Sequence, residues 1–174
     1  MLGIIGFGRI AQAVAQKAHF GFGMEVSFYD PYPPSDEIVK KFSAKKFDTL
    51  EDVLKDSDYV TLHCPGGGDN TNLMNKERFS LMKKSAFLIN TARGDVVDET
   101  ALVQALKDKV IAGAGLDVYA KEPVVTEELL SMNNVVLIPH LGSATTETRV
   151  AMGLRSLANV KAFFDGKEPG DRVA

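Results

Sequence analysis

Leu2-Gly3-Ile4-Ile5-Gly6-Phe7-Gly8-Arg9-Ile10-Ala11 is the stretch on which the fold turns. Residues 2–6 read as a short buried strand, and residues 10–18 follow with apolar side chains at Ile10, Ala13, Val14 and Ala18, a helical spacing. Between them lies Gly-x-Gly-x-x-Ala. A glycine-rich turn between strand and helix is a phosphate-binding device: Gly6 permits the tight turn and Gly8 lets the backbone approach a pyrophosphate. The exposed amides and positive end of the helix stabilise that charge. Ala11 takes the place of a third glycine, which the motif tolerates because that residue governs only how closely helix and strand pack. Arg9 is placed for a charge-assisted contact, and Ile10 opens the helix beside it.

About twenty residues on, the strand predicted at 25–29 ends at Asp30, where a carboxylate would accept hydrogen bonds from ribose hydroxyls and repel a 2'-phosphate. No Lys or Arg follows until Lys40, so NAD is favoured over NADP. The alternative for Asp30 is a strand-end carboxylate that merely opens the loop of Pro31, Pro33 and Pro34.

Beyond this unit the alternation continues. Amphipathic stretches are predicted as helices at 36–42, 50–54, 76–82, 98–106 and 126–132, the second behind Thr49 and the fourth behind Asp98 as N-caps. Strands are predicted at 45–47, 59–63, 86–90, 111–117 and 135–138, and the longest helix at 145–164 carries Val150, Leu154, Leu157, Ala158 and Phe164 in register. Strands and helices in strict alternation imply an α/β protein: a Rossmann-type, doubly wound parallel sheet of about seven strands, in one domain.

Composition sets the outer bounds. The chain has 174 residues, 45% hydrophobic and 25% charged, enough to bury a core of its own and far from the signature of disorder. A net charge of -3 with scattered Lys and Arg argues against nucleic acid as a partner. Glycines interrupt the first apolar stretch and Arg9 follows it, which excludes reading it as a signal peptide or membrane span. The lone Cys64 cannot form an internal disulfide, and no metal site is expected, so a reducing cytoplasm is the expected setting.

Three further segments carry chemistry. Asn90-Thr91-Ala92-Arg93-Gly94 follows one predicted strand; Gly115-Leu116-Asp117-Val118-Tyr119 with Glu122-Pro123 follows the next; Pro139-His140-Leu141-Gly142-Ser143-Ala144 follows the last. All lie at carboxyl ends of strands, the edge where open α/β sheets bind ligands. Taken singly, Arg93 reads more often as a solvated or salt-bridged loop residue and His140 as a cap of the next helix, and His19 and His63 read as structural or surface residues. With the fingerprint, these segments resemble the D-isomer-specific 2-hydroxyacid dehydrogenases across essentially the whole chain.

The resemblance implies hydride transfer between NAD(H) and a D-2-hydroxy acid or its 2-oxo acid. It implies His140 as the acid/base, Glu122 as its carboxylate partner, and Arg93 as the holder of the substrate's carboxylate and carbonyl. Asp117 is implied at the nicotinamide carboxamide, with Cys64, Pro65, Thr91, Ala92 and Gly142 along the cofactor cleft. The chemistry asks for these types: negative charge develops on the carbonyl oxygen as hydride arrives, calling for a donor that titrates near neutrality. A guanidinium fork matches a carboxylate.

Two departures stand out. After Cys64-Pro65 the family's Pro- and Thr-containing loop is replaced by Gly66-Gly67-Gly68-Asp69-Asn70, with Thr71 and Asn75 rejoining the pattern, so a more mobile loop is expected. Family enzymes also carry a substrate domain of roughly 100 residues before the fingerprint. The expectation is that it is absent here, that turnover is weak or lost, and that the exposed apolar surface favours a homodimer. A non-catalytic, NAD-dependent assembly module of the corepressor kind is the rival reading.

Overall fold

The structure, a computed structural model, describes residues 1–172, in two compact units, Met1–Pro139 and the described residues from His140 on. The first unit holds a seven-stranded parallel sheet: β1 (Leu2–Ile5), β2 (Val26–Tyr29), β3 (Lys45–Lys46), β4 (Tyr59–Leu62), β5 (Phe87–Asn90), β6 (Gly113–Leu116) and β7 (Val135–Leu137). Their order is β3-β2-β1-β4-β5-β6-β7, so the winding reverses between β1 and β4. The pairs Ile5 with Tyr29 and Ile5 with Leu62 bring the carboxyl ends of β2, β1 and β4 level. A crevice opens at such a switch point because the connections leaving the two central strands run to opposite faces.

The predicted parallel α/β sheet is therefore present, with strands one to three residues shorter than their periodicity suggested. Helices α1 (Arg9–Gln16), α2 (Asp36–Lys41), α3 (Leu50–Asp56), α4 (Lys76–Phe79), α5 (Glu99–Lys107) and α6 (Glu127–Leu130) connect the strands. Thr49 caps α3 and Asp98 caps α5 through side-chain oxygens that accept from the N–H groups of Asp52 and Ala101, as the sequence indicated.

Two core clusters lie on opposite faces of the sheet, and alternation along β1 divides them. Leu2 and Ile4 pack with Phe7, Val26, Phe28 and the alanines of α1, whereas Ile5 joins Val53, Leu54, Leu62, Leu88 and Leu102. At Gly3 an added Cβ would lie 2.0 Å from Ser57 Oγ and 2.7 Å from Val53 Cγ1, which shows how tightly the end of α3 presses on the central strand.

The first helix corrects one expectation. The buried positions are Ala11, Ala15 and Ala18, of which the sequence reading had Ala18; Val14 is partly buried against the core, Ala13 is exposed and Ile10 is 71% exposed. The reason is the fingerprint itself: Ala11 faces the sheet, where only a small side chain allows close packing, and this sets the rotation of the helix. The helix continues as a π-helical turn, Lys17–Gly21. The predicted helix at 76–82 shortens to α4, followed by hydrogen bonds from Leu81 N–H to Arg78 and from Met82 N–H to Phe79.

The second unit consists mainly of α7 (Thr146–Phe164), capped by Thr145, whose Oγ1 accepts from Thr148 N–H. Val150, Leu154, Leu157 and Phe164 are in helical register as expected, but all four are exposed. Arg155 holds the carboxylate of Asp171, and Asn159 Nδ2 donates to it at 2.6 Å.

Candidate functional site

At the reversal of strand order lies a cleft of about 700 Å³, lined among others by Gly6, Gly8, Asp30, Tyr32, His63, Cys64 and Pro65. Gly6 has φ +85°, and a Cβ there would sit 2.8 Å from Cys64 N and 2.9 Å from His63 C, so glycine is needed both for the turn and for its approach to β4. Gly8 is different. It is the N-cap of α1, supplies no side-chain cap, and a Cβ on it would meet nothing within 4 Å. No acidic residue occupies the first turn of α1, and Gly8 offers no side-chain cap to its amides.

Phe7, the unspecified residue of the fingerprint, anchors the turn. It is 1% exposed and stacks on Phe28 with ring centroids 4.2 Å apart. Its N–H donates to Asp30 Oδ2 at 2.6 Å, while Oδ1 accepts from Tyr32 N–H at 2.7 Å. Asp30 thus ties the glycine turn to the loop after β2. A carboxylate has about four acceptor sites, and these bonds use two of them.

Cys64 and Pro65 line the same cleft. Burial, reinforced by the charges of Asp95 and Asp30, pushes the Cys64 thiol up despite an opposing backbone hydrogen bond. His63 also lines it, which the sequence reading did not foresee; its Nε2 is 3.0 Å from Thr61 Oγ1, and burial holds its imidazole below the ordinary histidine range. His19 makes a structural contact instead, with Nδ1 3.3 Å from Met24 O. Arg9, Ile10, Thr71 and Thr91 are exposed and are not among the residues lining the cleft.

The three glycines after Pro65 build a fastened turn. A Cβ on Gly66 would fall 2.6 Å from Asp95 Oδ1 and 3.0 Å from Arg93 Cβ, and Gly67 and Gly68 both take left-handed backbone. Gly67 N–H donates to Asp95 Oδ2 at 2.7 Å, and Asn70 Nδ2 donates to Pro65 O at 3.1 Å. Asn72 N–H donates to Asp95 O at 2.8 Å just beyond Thr71.

Arg93 stands on the loop after β5, exposed, with Nη1 donating to Ala92 O. That loop is shaped by Asn90, only 1% exposed, whose Nδ2 donates to Arg93 O at 2.9 Å and whose Oδ1 accepts from Ala92 N–H at 3.0 Å. Asp117, 4% exposed, is drawn to the same strand end by its N–H bond to Asn90 O. Next to Arg93, a Cβ on Gly94 would lie 1.9 Å from Tyr119 C and 2.4 Å from Ala120 N, so the Arg93 loop and the Glu122 loop press backbone to backbone.

The Glu122 loop is held on both sides. Glu122 Oε1 accepts from Tyr119 N–H at 3.1 Å, and the Tyr119 hydroxyl donates to Ile138 O at 2.9 Å. Glu99, at the start of α5, accepts from Ala120 N–H at 2.7 Å and from the Thr126 hydroxyl. Sequence reading missed Asn90 and Glu99, because nothing in a lone Asn or Glu announces a partner loop. His140 and Gly142 belong to the second unit, where His140 takes φ +53°. Among the described residues no group of three or more His, Cys, Asp or Glu is gathered to hold a metal, and no helix is long and apolar enough to cross a membrane.

A doubly wound parallel sheet with a glycine turn, an uncapped helix start and a strand-end aspartate around one cleft defines a dinucleotide-binding domain of the Rossmann type. A family model described as "D-isomer specific 2-hydroxyacid dehydrogenase, NAD binding domain" matches residues 1–142, and the chain belongs to that family. It is 49% identical over 168 residues to a glyoxylate reductase of Thermococcus kodakarensis, covering 97% of this chain and 50% of the relative. It is 46% identical over 167 residues to glyoxylate/hydroxypyruvate reductase B of Erwinia tasmaniensis, covering 95% of this chain and 51% of that protein.

Among solved structures, the holo form of Rhodotorula graminis D-mandelate dehydrogenase superposes with a TM-score of 0.93 at 35% identity, covering 99% of this chain and 51% of that one. An NADPH-dependent glyoxylate/hydroxypyruvate reductase of Sinorhizobium meliloti, in complex with NADP and malonate, matches at a TM-score of 0.93 and 36% identity, covering 100% and 53%. The chain thus spans about half the length of the relatives it matches.

Proposed function

We propose that this chain is the cofactor half of a reductase that transfers hydride from NADH to a small 2-oxo acid such as glyoxylate or hydroxypyruvate, and back from the corresponding D-2-hydroxy acid. The observation that carries the reading is the cleft where Gly6, Gly8 and Asp30 meet at the reversal of strand order. The pyrophosphate sits at the uncapped start of α1 against Gly8, and Asp30 takes the adenosine ribose. Cys64 and Pro65 lie along the bound cofactor, followed by Thr71, Thr91, Ala92, Asp117 and Gly142, with Arg9 and Ile10 at the mouth. Names of the similar reductases support the substrate class.

In this reading Arg93 presents its guanidinium fork to the substrate's carboxylate and carbonyl, orienting the carbonyl carbon toward the nicotinamide. His140 protonates the oxygen as hydride arrives, and Glu122 stabilises the imidazolium. The left-handed backbone of His140 supports a functional role, since such conformations in non-glycine residues gather at active sites. The bonds that Asn90 and Glu99 make to the Arg93 and Glu122 loops supply preorganisation. The N-terminal substrate domain of the family supplies the other wall of the catalytic cleft, and these 174 residues by themselves turn over weakly or not at all.

Calorimetric titration with NADH, on the chain as it stands and on Asp30→Ala, tests the reading. Saturable binding that weakens on substitution is expected, and no binding to the unsubstituted chain would overturn it. NADH oxidation with glyoxylate at an ordinary enzyme rate, about 1 to 1000 per second, would overturn the weak-turnover part alone.

A further inference from the structure

The cleft is lined by four carboxylates, Asp30, Asp48, Glu51 and Asp69, and its one guanidinium is that of Arg78. That guanidinium is already engaged. Its Nε and Nη2 both donate to Glu51 Oε1, at 3.1 and 3.0 Å, and its Nη1 donates to Leu73 O at 2.8 Å. Glu51 and Arg78 lie 27 residues apart, on α3 and α4, and both side chains are partly buried, at 39% and 28% exposure. Because Nε and Nη2 form the edge that grips a carboxylate or phosphate as a fork, Glu51 occupies the part of Arg78 that an anionic ligand would use. Fold does not decide which cofactor such a cleft takes, since the closely superposing Sinorhizobium reductase is NADPH-dependent.

We propose that Glu51 is a specificity-determining residue: by holding Arg78 it leaves the lining of the cleft without an unengaged guanidinium, and so selects NAD against a dinucleotide bearing a 2'-phosphate. The inference rests on the reading of this cleft as the NAD site. Asp30 supplies repulsion at the ribose, and Glu51 withholds the only guanidinium in the lining that could offset it. Substituting Asp30 alone therefore leaves NADPH binding poor, because Arg78 stays occupied. Removing the Glu51 charge leaves one uncompensated positive charge on Arg78 in the cleft, and a phosphate near neutral pH carries about -1.5 to -2. For any pair of unit charges about 10 Å apart, an effective dielectric of about 20 gives roughly a tenfold change in affinity.

The test is a set of fluorescence titrations with NADH and NADPH on the unsubstituted chain, Glu51→Gln, Arg78→Gln and the double variant. Glutamine keeps an amide oxygen to accept from Arg78, so a purely structural role predicts no change in the ratio of NADPH to NADH dissociation constants. The proposal predicts that this ratio falls in Glu51→Gln by about fivefold or more, less at high salt. The fall disappears in the double variant. In Arg78→Gln, which uncovers the Glu51 carboxylate, the ratio rises, and this arm tests the proposal even if Glu51→Gln does not fold. NADH binding with a ratio that stays within about twofold in both single variants overturns the inference alone. Failure of the unsubstituted chain to bind NADH overturns the site assignment and this inference with it.

Discussion

Replacing Gly8 by alanine separates binding from folding. The residue has φ -73° and ψ -170°, extended backbone that alanine adopts freely, and its Cβ would meet nothing within 4 Å. The folding cost is that of a poorer N-cap, roughly 0.5–1 kcal/mol. For a chain of this size that lowers the melting temperature by about 1–4 °C. The methyl group projects from a residue that lines the cleft at the uncapped helix start, where the pyrophosphate is proposed to lie. Pushing the phosphates off that position loses one hydrogen bond to a charged group or more, about 1.5–3 kcal/mol each. The expected result is a rise in the NADH dissociation constant of at least about tenfold. Calorimetric titration gives the affinity and differential scanning calorimetry the stability. An affinity within about threefold of the unsubstituted chain, with the melting temperature lowered by no more than about 4 °C, would refute the placement of the pyrophosphate against Gly8.

Gly94→Ala has the opposite profile: its Cβ falls 1.9 Å from Tyr119 C and 2.0 Å from its O, backbone atoms that no rotamer change can clear. A loss of about 3 kcal/mol in urea unfolding is expected, at the upper end for overpacking, and a loss below about 1 kcal/mol would show that the two loops yield easily. Stability should also fall in acid through Asp58, whose carboxyl is held down to about 2 from 3.8, chiefly by a hydrogen bond from Lys83 that outweighs desolvation. A carboxylate depressed in the folded state stabilises it fully above the unfolded value and stops doing so as pH falls through the folded one, so the loss lies between pH 3.8 and about 2. Asp58→Asn flattens the unfolding profile across that window, and an unaltered profile would exclude this contribution. Cys64, pushed up by burial, should react with iodoacetamide at pH 8 more slowly than a free thiol, and more slowly still when NADH is saturating. Equal rates with and without NADH would argue that the cofactor does not cover it.

The glycine turn, the strand-end aspartate, the N-caps at Thr49 and Asp98 and the alternation of strand and helix were legible in the sequence. Each is a local rule, satisfied within about twenty residues by turn chemistry, capping or hydrophobic period. Resemblance added Arg93, Glu122 and His140, whose residue types suit the chemistry but whose separation in sequence says nothing of distance in space. The rotation of α1 was misjudged because apolar spacing fits more than one face when the helix is rich in alanine; packing of Ala11 against the sheet decided it.

Only the tertiary structure brought Glu51 onto Arg78, Glu99 onto Ala120 and Thr126, and the backbone of Gly94 against Tyr119. It likewise tied Phe7 to Asp30 and placed His63 in the cleft. These contacts join segments 20 to 30 residues apart whose side chains are chemically ordinary. The sequence by itself determined which segments are strands and helices, because backbone preference and hydrophobic period act within each segment. Which charges neutralise one another depends on strand order and register, which long-range burial sets, and so that pairing was settled only when the sheet closed on its core.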